Sequence, residues 1–247
     1  MEFENTATDG IGPLKKGKNI WKYIVIAIVA IAVIIPAAIY IQKYLEASDP
    51  NYYTKHQRTG NAYLQGGLHD LAIQEYQKAV KVKPDSVDAN YGIGLAYLRK
   101  GNMEEATRHF EIAVKAAPSR IDLHYSLATA YQQMGRLERA LEEYRKVAQK
   151  NPNSYQVFNG VGSIHMKTGD YEKAIGALKH AIELKPDYYP AYLNLGRVYE
   201  KQGKIDLAIK QYDYVRKNAS KKPETEVLAK YADKFMTALN QKKVGRK

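Results

Sequence analysis

The chain contains no cysteine in 247 residues. That absence excludes structural disulfides, thiolate metal sites, cysteine nucleophiles and a lipid-modified N-terminal cysteine. It is also compatible with an oxidising compartment. Metal-ligand spacing is missing as well: His56, His69, His109, His124, His165 and His180 form no His-Glu-x-x-His pattern, so each reads as a structural histidine. Phosphate-cradling loops are represented only by the fragments "GIG" at Gly92 and "GVG" at Gly160. Both fall where helices of a repeated unit pack closely. No catalytic residue, cofactor or metal site is expected, and the chain reads as a binding protein rather than an enzyme.

Acidic residues are in short supply. Lys and Arg number 38 against 26 Asp and Glu, a formal charge of +12. Residues 1–48 contribute only +1 of this, whereas 204–247 carry twelve cations and five acids. Such a basic surface beside a bilayer would attract anionic lipid headgroups or an acidic protein. Nucleic acid is not the expected partner, because no recognised reading module is present.

One long apolar run stands out. Residues 20–41 read "IWKYIVIAIVAIAVIIPAAIYI", with eleven Ile or Val between Ile24 and Ile41 and Lys22 as the only charge. As a helix this stretch extends roughly 33 Å, against a hydrocarbon layer of about 30 Å. Trp21 and Tyr23 at one end and Tyr40 and Tyr44 at the other stand where amphipathic rings prefer the headgroup level. A cleaved signal fits poorly, since the run exceeds a normal apolar region and no small-x-small cleavage site comes after it. Residues 20–41 are therefore predicted to be a transmembrane helix. Ala27, Ala30 and Ala37 share one side of it and could admit another transmembrane helix.

Lys15, Lys16, Lys18 and Lys22 precede the apolar core, whereas Lys43 and then the acids Glu46 and Asp49 come after it. The positive-inside rule places the tail, 1–19, in the cytoplasm and the rest across the membrane. In a bacterium the expected location is the cytoplasmic membrane, with the bulk of the chain in the periplasm. A linker, 42–52, joins the span to the remainder of the chain, and Ser48 and Pro50 in it suit the start of a new helix.

Beyond the linker the sequence repeats itself. Gly67, Gly101, Gly135, Gly169 and Gly203 are spaced by 34 residues, as are Ala72, Ala106, Ala140, Ala174 and Ala208, and Pro84, Pro118, Pro152 and Pro186. In the same phase come Gly60, Gly94, Ala128, Gly162 and Gly196, each followed three residues later by Tyr63, Tyr97, Tyr131, His165 or Tyr199. Four residues after each alanine stands Tyr76, Phe110, Tyr144, Leu178 or Tyr212. Spacings of three and four belong to helices, so each unit reads as helix, turn at the glycine, helix and proline stop.

These residues resemble the tetratricopeptide repeat pattern. The resemblance covers 53–222 as five units, 53–86, 87–120, 121–154, 155–188 and 189–222. It departs in the fifth, where Ser220 replaces the closing proline. After it, 223–247 is predicted to be a capping helix and basic tail, with Val227, Leu228, Tyr231, Phe235 and Leu239 covering the last repeat. The implied fold is all-α, a right-handed superhelix with a concave groove behind one N-terminal span.

If the units pack as in that family, the first helix of each turns a stripe into the groove. The expected binding residues are Gln57, Asn61 and Gln65; Tyr91, Leu95 and Arg99; Tyr125, Thr129 and Gln133; Asn159, Ser163 and Lys167; and Leu193, Arg197 and Lys201. Rings, amides and cations suit an extended or helical peptide with acidic groups. The family's chaperone-tail clamp is not present, since only Asn61 matches, with Gln57, Gly92, Asp122 and Ser126 in the other places. The expected role is a membrane-anchored scaffold that holds a protein partner during assembly of a membrane or envelope complex. Two alternatives are a permanent subunit of a larger complex and a cytosol-facing import receptor.

Overall fold

The computed structural model describes residues 18–219 and 223–244. Residues 1–17 of the predicted tail, with Lys15 and Lys16, lie outside the described residues, as does Ser220. The chain divides into two compact units, Met1–Tyr52 and Tyr53–Lys247.

The first unit is built on α1, Lys18–Ser48, a 31-residue helix with Pro36 inside it. Its stretch Trp21–Ile41 has a mean hydropathy of 3.0 and buries nothing. By length and composition α1 is able to cross a membrane. The expected linker is largely helical: between Ile41 and Pro50 the sequence offers no breaker, so α1 continues to Ser48. The turn that ends it is held by the Asn51 amide donating to Asp49 Oδ1 at 2.8 Å and the Tyr52 amide donating to the Asp49 carbonyl at 3.0 Å.

The second unit is all helix among its described residues. First and second helices alternate as α2 (Tyr52–Gln65), α3 (His69–Val82), α4 (Val87–Arg99), α5 (Met103–Ala116), α6 (Ile121–Gln133), α7 (Leu137–Lys150), α8 (Tyr155–Thr168), α9 (Tyr171–Leu184), α10 (Tyr189–Lys201) and α11 (Ile205–Ala219). A 3-10 turn, Pro223–Thr225, leads into α12, Glu226–Val244. The five glycines spaced by 34 all have φ between 73° and 84°, a left-handed turn that costs a side-chain-bearing residue energy and glycine almost none.

In the first, second and fifth hairpins a ring is seated on a glycine, and in the fourth Leu178 is seated on Gly162. A Cβ added to Gly60 would lie 2.8 Å from the Tyr76 ring, one on Gly94 2.4 Å from Phe110, and one on Gly196 2.5 Å from Tyr212. Tyr76, Phe110 and Tyr212 are fully buried as a result. At Tyr76 and Tyr144, though not at Tyr212, two more adjustments appear. The next unit supplies a second glycine: a Cβ on Gly92 would lie 2.4 Å from Tyr76, and one on Gly160 2.6 Å from Tyr144. The unit's own first helix then takes up the hydroxyl. Tyr76 donates to Asn61 Oδ1 at 2.6 Å, and Tyr144 donates to Gln132 at 2.9 Å while lying 3.3 Å from the Thr129 hydroxyl. Where the ring is Phe110 or the residue is Leu178, the corresponding positions are Leu95 and Ser126, or Ser163 and Asn194. "GIG" and "GVG" are thus packing devices.

A second link crosses each of the first three hairpins between residues 19 apart. His56 Nδ1 meets Glu75 at 2.5 Å, His109 Nδ1 meets Asn90 at 2.9 Å, and His124 Nδ1 meets Glu143 at 2.5 Å. Lys78 and Lys146 hold the other oxygens of the two glutamates at 2.6 and 2.7 Å. Burial, with Arg108 nearby, holds His109 below the ordinary histidine range.

Three of the five expected capping residues, Leu228, Phe235 and Leu239, pack on the core of the last repeat, and two do not. Ala229, Ala232 and Leu239 are buried, with Leu228, Phe235 and Met236 against the same core. Val227 and Tyr231 are 58% and 52% exposed. The alanines let α12 approach α11 closely, which turns Val227 and Tyr231 outward.

Gly92→Ala should destabilise the repeat unit by about 1–3 kcal/mol through overpacking against Tyr76. Combining Tyr76→Leu with Gly92→Asn, the pairing already present as Leu178 and Asn194, should cost less than the sum of the single changes. Urea denaturation of the detergent-solubilised chain measures this, and strict additivity would contradict the ring-on-glycine account.

Candidate functional site

First helices contact one another along the stack through their groove stripe. Tyr91 Oη lies 3.1 Å from Ser126 Oγ, and Asn194 Nδ2 donates to Asn159 Oδ1 at 2.9 Å. Each link joins the fifth residue of one unit to the sixth of the next. None of the fifteen expected groove residues is buried. Asn61, Gln65, Arg99, Gln133, Lys167, Arg197 and Lys201 are exposed, while Gln57, Tyr91, Leu95, Tyr125, Thr129, Asn159, Ser163 and Leu193 are half-buried. Asn61 also serves the fold by accepting the Tyr76 hydroxyl, and Thr129 by lying 3.3 Å from that of Tyr144.

The stripe does not form one uniform surface. Tyr91 and Tyr125 open into a cleft of about 300 Å³ completed by Ile121, Ser126, Val147 and Gln156. Tyr125 lies 5.9 Å from Tyr144, centroid to centroid, and Tyr91 5.6 Å from Phe110. Asp122, on the rim, is held below the usual carboxylate range by its hydrogen bond from Arg120, which also bonds Asp88 at 2.8 Å. Farther along, Tyr155 and Tyr188 meet edge to face at 4.7 Å under Lys185, whose ammonium is 4.8 Å from the Tyr155 centroid.

Ser163, Lys167, Arg197 and Lys201 converge on a second cleft, of about 480 Å³, between α8, α9 and α10. Met166, Thr168 and Tyr171 complete its wall. No carboxylate lines it, and among the described residues none of the three cations is in an ion pair. Asp170, three residues after Lys167, is 3.6 Å from both His165 and Lys173, and Glu200, which precedes Lys201 in sequence, is not part of the cleft's lining. Among the described residues no group of three His, Asp or Glu could hold a metal ion.

Sequence reasoning did not anticipate the division into an aromatic and a cationic cleft. Ile121, Val147 and Tyr171 lie outside the groove stripe, and the folding of each unit brings them to it. The three links spanning 19 residues were also missed, although their equal separations were a readable signal.

Tetratricopeptide repeat models match residues 60–101, 101–159, 162–203 and 190–221. The chain belongs to the tetratricopeptide repeat family. No curated protein matches it in sequence. It is similar to the crystal structure of the MamA protein at 24% identity and a TM-score of 0.61, covering 66% of this chain and 89% of that one. Similar too is YrrB, described as a TPR protein with an unusual peptide-binding site (23% identity, TM-score 0.58, 80% and 97% covered). A thermophilic TPR protein of Thermus thermophilus matches at 24% identity and a TM-score of 0.57, with 73% and 98% covered. At these identities the likeness concerns the fold, a scaffold suited to protein–protein interaction.

Burial raises the Tyr125 phenol and pushes those of Tyr144 and Tyr188 up to about 12. Between pH ~10 and ~12 the unfolded chain therefore releases protons that the folded chain keeps. Stability should be unaffected by these groups below about pH 10 and fall as pH rises toward 12, Tyr144 accounting for about 2 kcal/mol. Denaturation of the wild type against Tyr144→Phe at pH values across this window checks it. The stability difference should move in favour of the variant as pH rises, and a constant difference would contradict it.

Proposed function

We propose that this protein is a single-pass, membrane-anchored scaffold whose groove holds a protein partner beside the membrane during assembly or stabilisation of a membrane or envelope complex. One observation carries the reading: a helix apolar enough to span a bilayer and a repeat stack with rings, amides and cations on its first-helix stripe occur on one chain, with only Asp49–Asn51 between their helices.

Cations on the N-terminal side of α1 favour a cytoplasmic tail and a periplasmic repeat unit in a bacterial cytoplasmic membrane. So short a join keeps the repeat unit near the bilayer surface, where it meets proteins that reside in or cross that membrane. The large positive charge favours an acidic partner and would add attraction to anionic headgroups. Binding one fixed neighbour as a permanent subunit uses the same surface and is the second reading.

Full-length protein should sediment with membranes and resist alkaline carbonate, and deleting residues 1–48 should release it. A C-terminal reporter active only outside the cytoplasm should report activity. Gentle detergent extraction should co-purify a partner, constant in stoichiometry for a subunit and varied for an assembly factor. A freely soluble full-length chain, or a reporter active only in the cytoplasm, would overturn the anchored periplasmic reading.

A further inference from the structure

The two clefts differ in chemistry and lie on the same face of the same unit. One has an aromatic and aliphatic wall of Tyr91, Ile121, Tyr125 and Val147, completed by Asp122 and four uncharged polar residues. The other gathers Lys167, Arg197 and Lys201, with no acid in its wall. Three unpaired cations around a cleft repel one another, and a ligand that brings two carboxylates relieves that repulsion while making charge-assisted hydrogen bonds. Some basic side chains elsewhere on the unit are paired: Lys100 bonds Asp70, Arg120 bonds Asp88 and Asp122, Arg216 and Lys217 hold Asp213, and Lys230 holds Glu226. What sets Lys167, Arg197 and Lys201 apart is their convergence on one cleft whose lining holds no carboxylate.

We infer that the groove recognises an extended segment of a partner protein at two points, an apolar side chain in the aromatic cleft and a pair of adjacent acidic side chains in the cationic cleft. This rests on the groove-binding reading above and specifies its ligand. The clefts are about two helical turns apart along the first helices, ~12 Å. They also lie between one and two helix spacings apart along the stack, ~10–15 Å. Their separation is then roughly 15–20 Å, which an extended chain covers in about five or six residues. Lys167 and Lys201 stand at the thirteenth position of their units, which the family's chaperone-tail clamp does not use, and Arg197 brings a cation to the ninth, where Asn61 matches that clamp. The acidic pair is placed within the segment, on two side-chain carboxylates.

The test uses full-length protein in detergent micelles and synthetic peptides of roughly 14 residues, blocked at both ends, with one Leu and an Asp-Asp pair separated by two to eight residues. Fluorescence anisotropy should find tightest binding at a separation of about five or six and at least roughly tenfold loss when Asp-Asp becomes Asn-Asn. Lys167→Gln with Arg197→Gln and Lys201→Gln should lose about tenfold or more, and Tyr125→Ala should weaken peptides that carry the Leu far more than those with Gly in its place. The control replaces Lys81, Lys115 and Lys150, on second helices, by Gln, which removes the same charge. It should bind within about threefold of wild type. Circular dichroism melts confirm that each variant folds.

Equal losses in both triple variants, indifference to Asn-Asn or to the separation, or full displacement of the peptide by inorganic phosphate or phosphatidylglycerol vesicles would overturn the inference. Should a co-purifying partner survive the groove triple variant unchanged, the two-point recognition fails and the scaffold reading stands. Should no partner co-purify from any variant, the scaffold reading itself fails.

Discussion

A ring pressed against a glycine is the contact on which the rest of this molecule depends. One amphipathic hairpin has too little apolar surface to offset the entropy of ordering its chain. The hairpins close because Tyr76, Phe110, Tyr144, Leu178 and Tyr212 sit where the facing first helix presents glycine or alanine, so the two backbones approach to a distance that a larger residue would forbid. The same rings then touch the next unit, as Tyr76 does at Gly92 and Tyr144 at Gly160. Closure within a unit and stacking between units are one interaction seen from two sides.

That arrangement decides what is left for function. Second helices spend their inner faces on the rings, and first helices spend one side on receiving them. The remaining stripe of each first helix meets the next first helix at links between residues 35 apart, such as Tyr91 with Ser126 and Asn159 with Asn194. Side chains on the stripe are free to vary in chemistry because the fold asks little of them. Some still serve it: Asn61 receives the Tyr76 hydroxyl, and Leu95 packs in the core cluster of Phe110, which has none. Lys167 and Lys201 carry no such link, and Arg197, at the position that Asn61 holds in the first unit, joins them at a cleft whose lining holds no acid.

The hairpins were legible because their determinants are few, small and strictly periodic: a glycine in a left-handed turn, an alanine, a ring and a proline. The apolar helix was legible from length and hydropathy. Other features depended on information that is not periodic. Helix α1 runs past Ile41 because nothing before Pro50 stops it, and an absent breaker is a weaker signal than a present one. At α12 the large residues Val227 and Tyr231 suggested the buried stripe, whereas the alanines at 229 and 232 set it by allowing close approach to α11. The two clefts escaped notice because each is assembled from residues of adjacent units, and their chemistry emerges only from that juxtaposition.

Site-specific photo-crosslinking in intact cells tests the central claim, that first helices carry the binding surface while second helices carry the fold. A photoreactive residue at Gln133 or Lys167, on the groove stripe, should trap the same partner band. Placed at Glu142 or Lys179, on the exposed sides of α7 and α9, it should trap none. Adducts only from α7 and α9, or equally from both faces, would contradict the account.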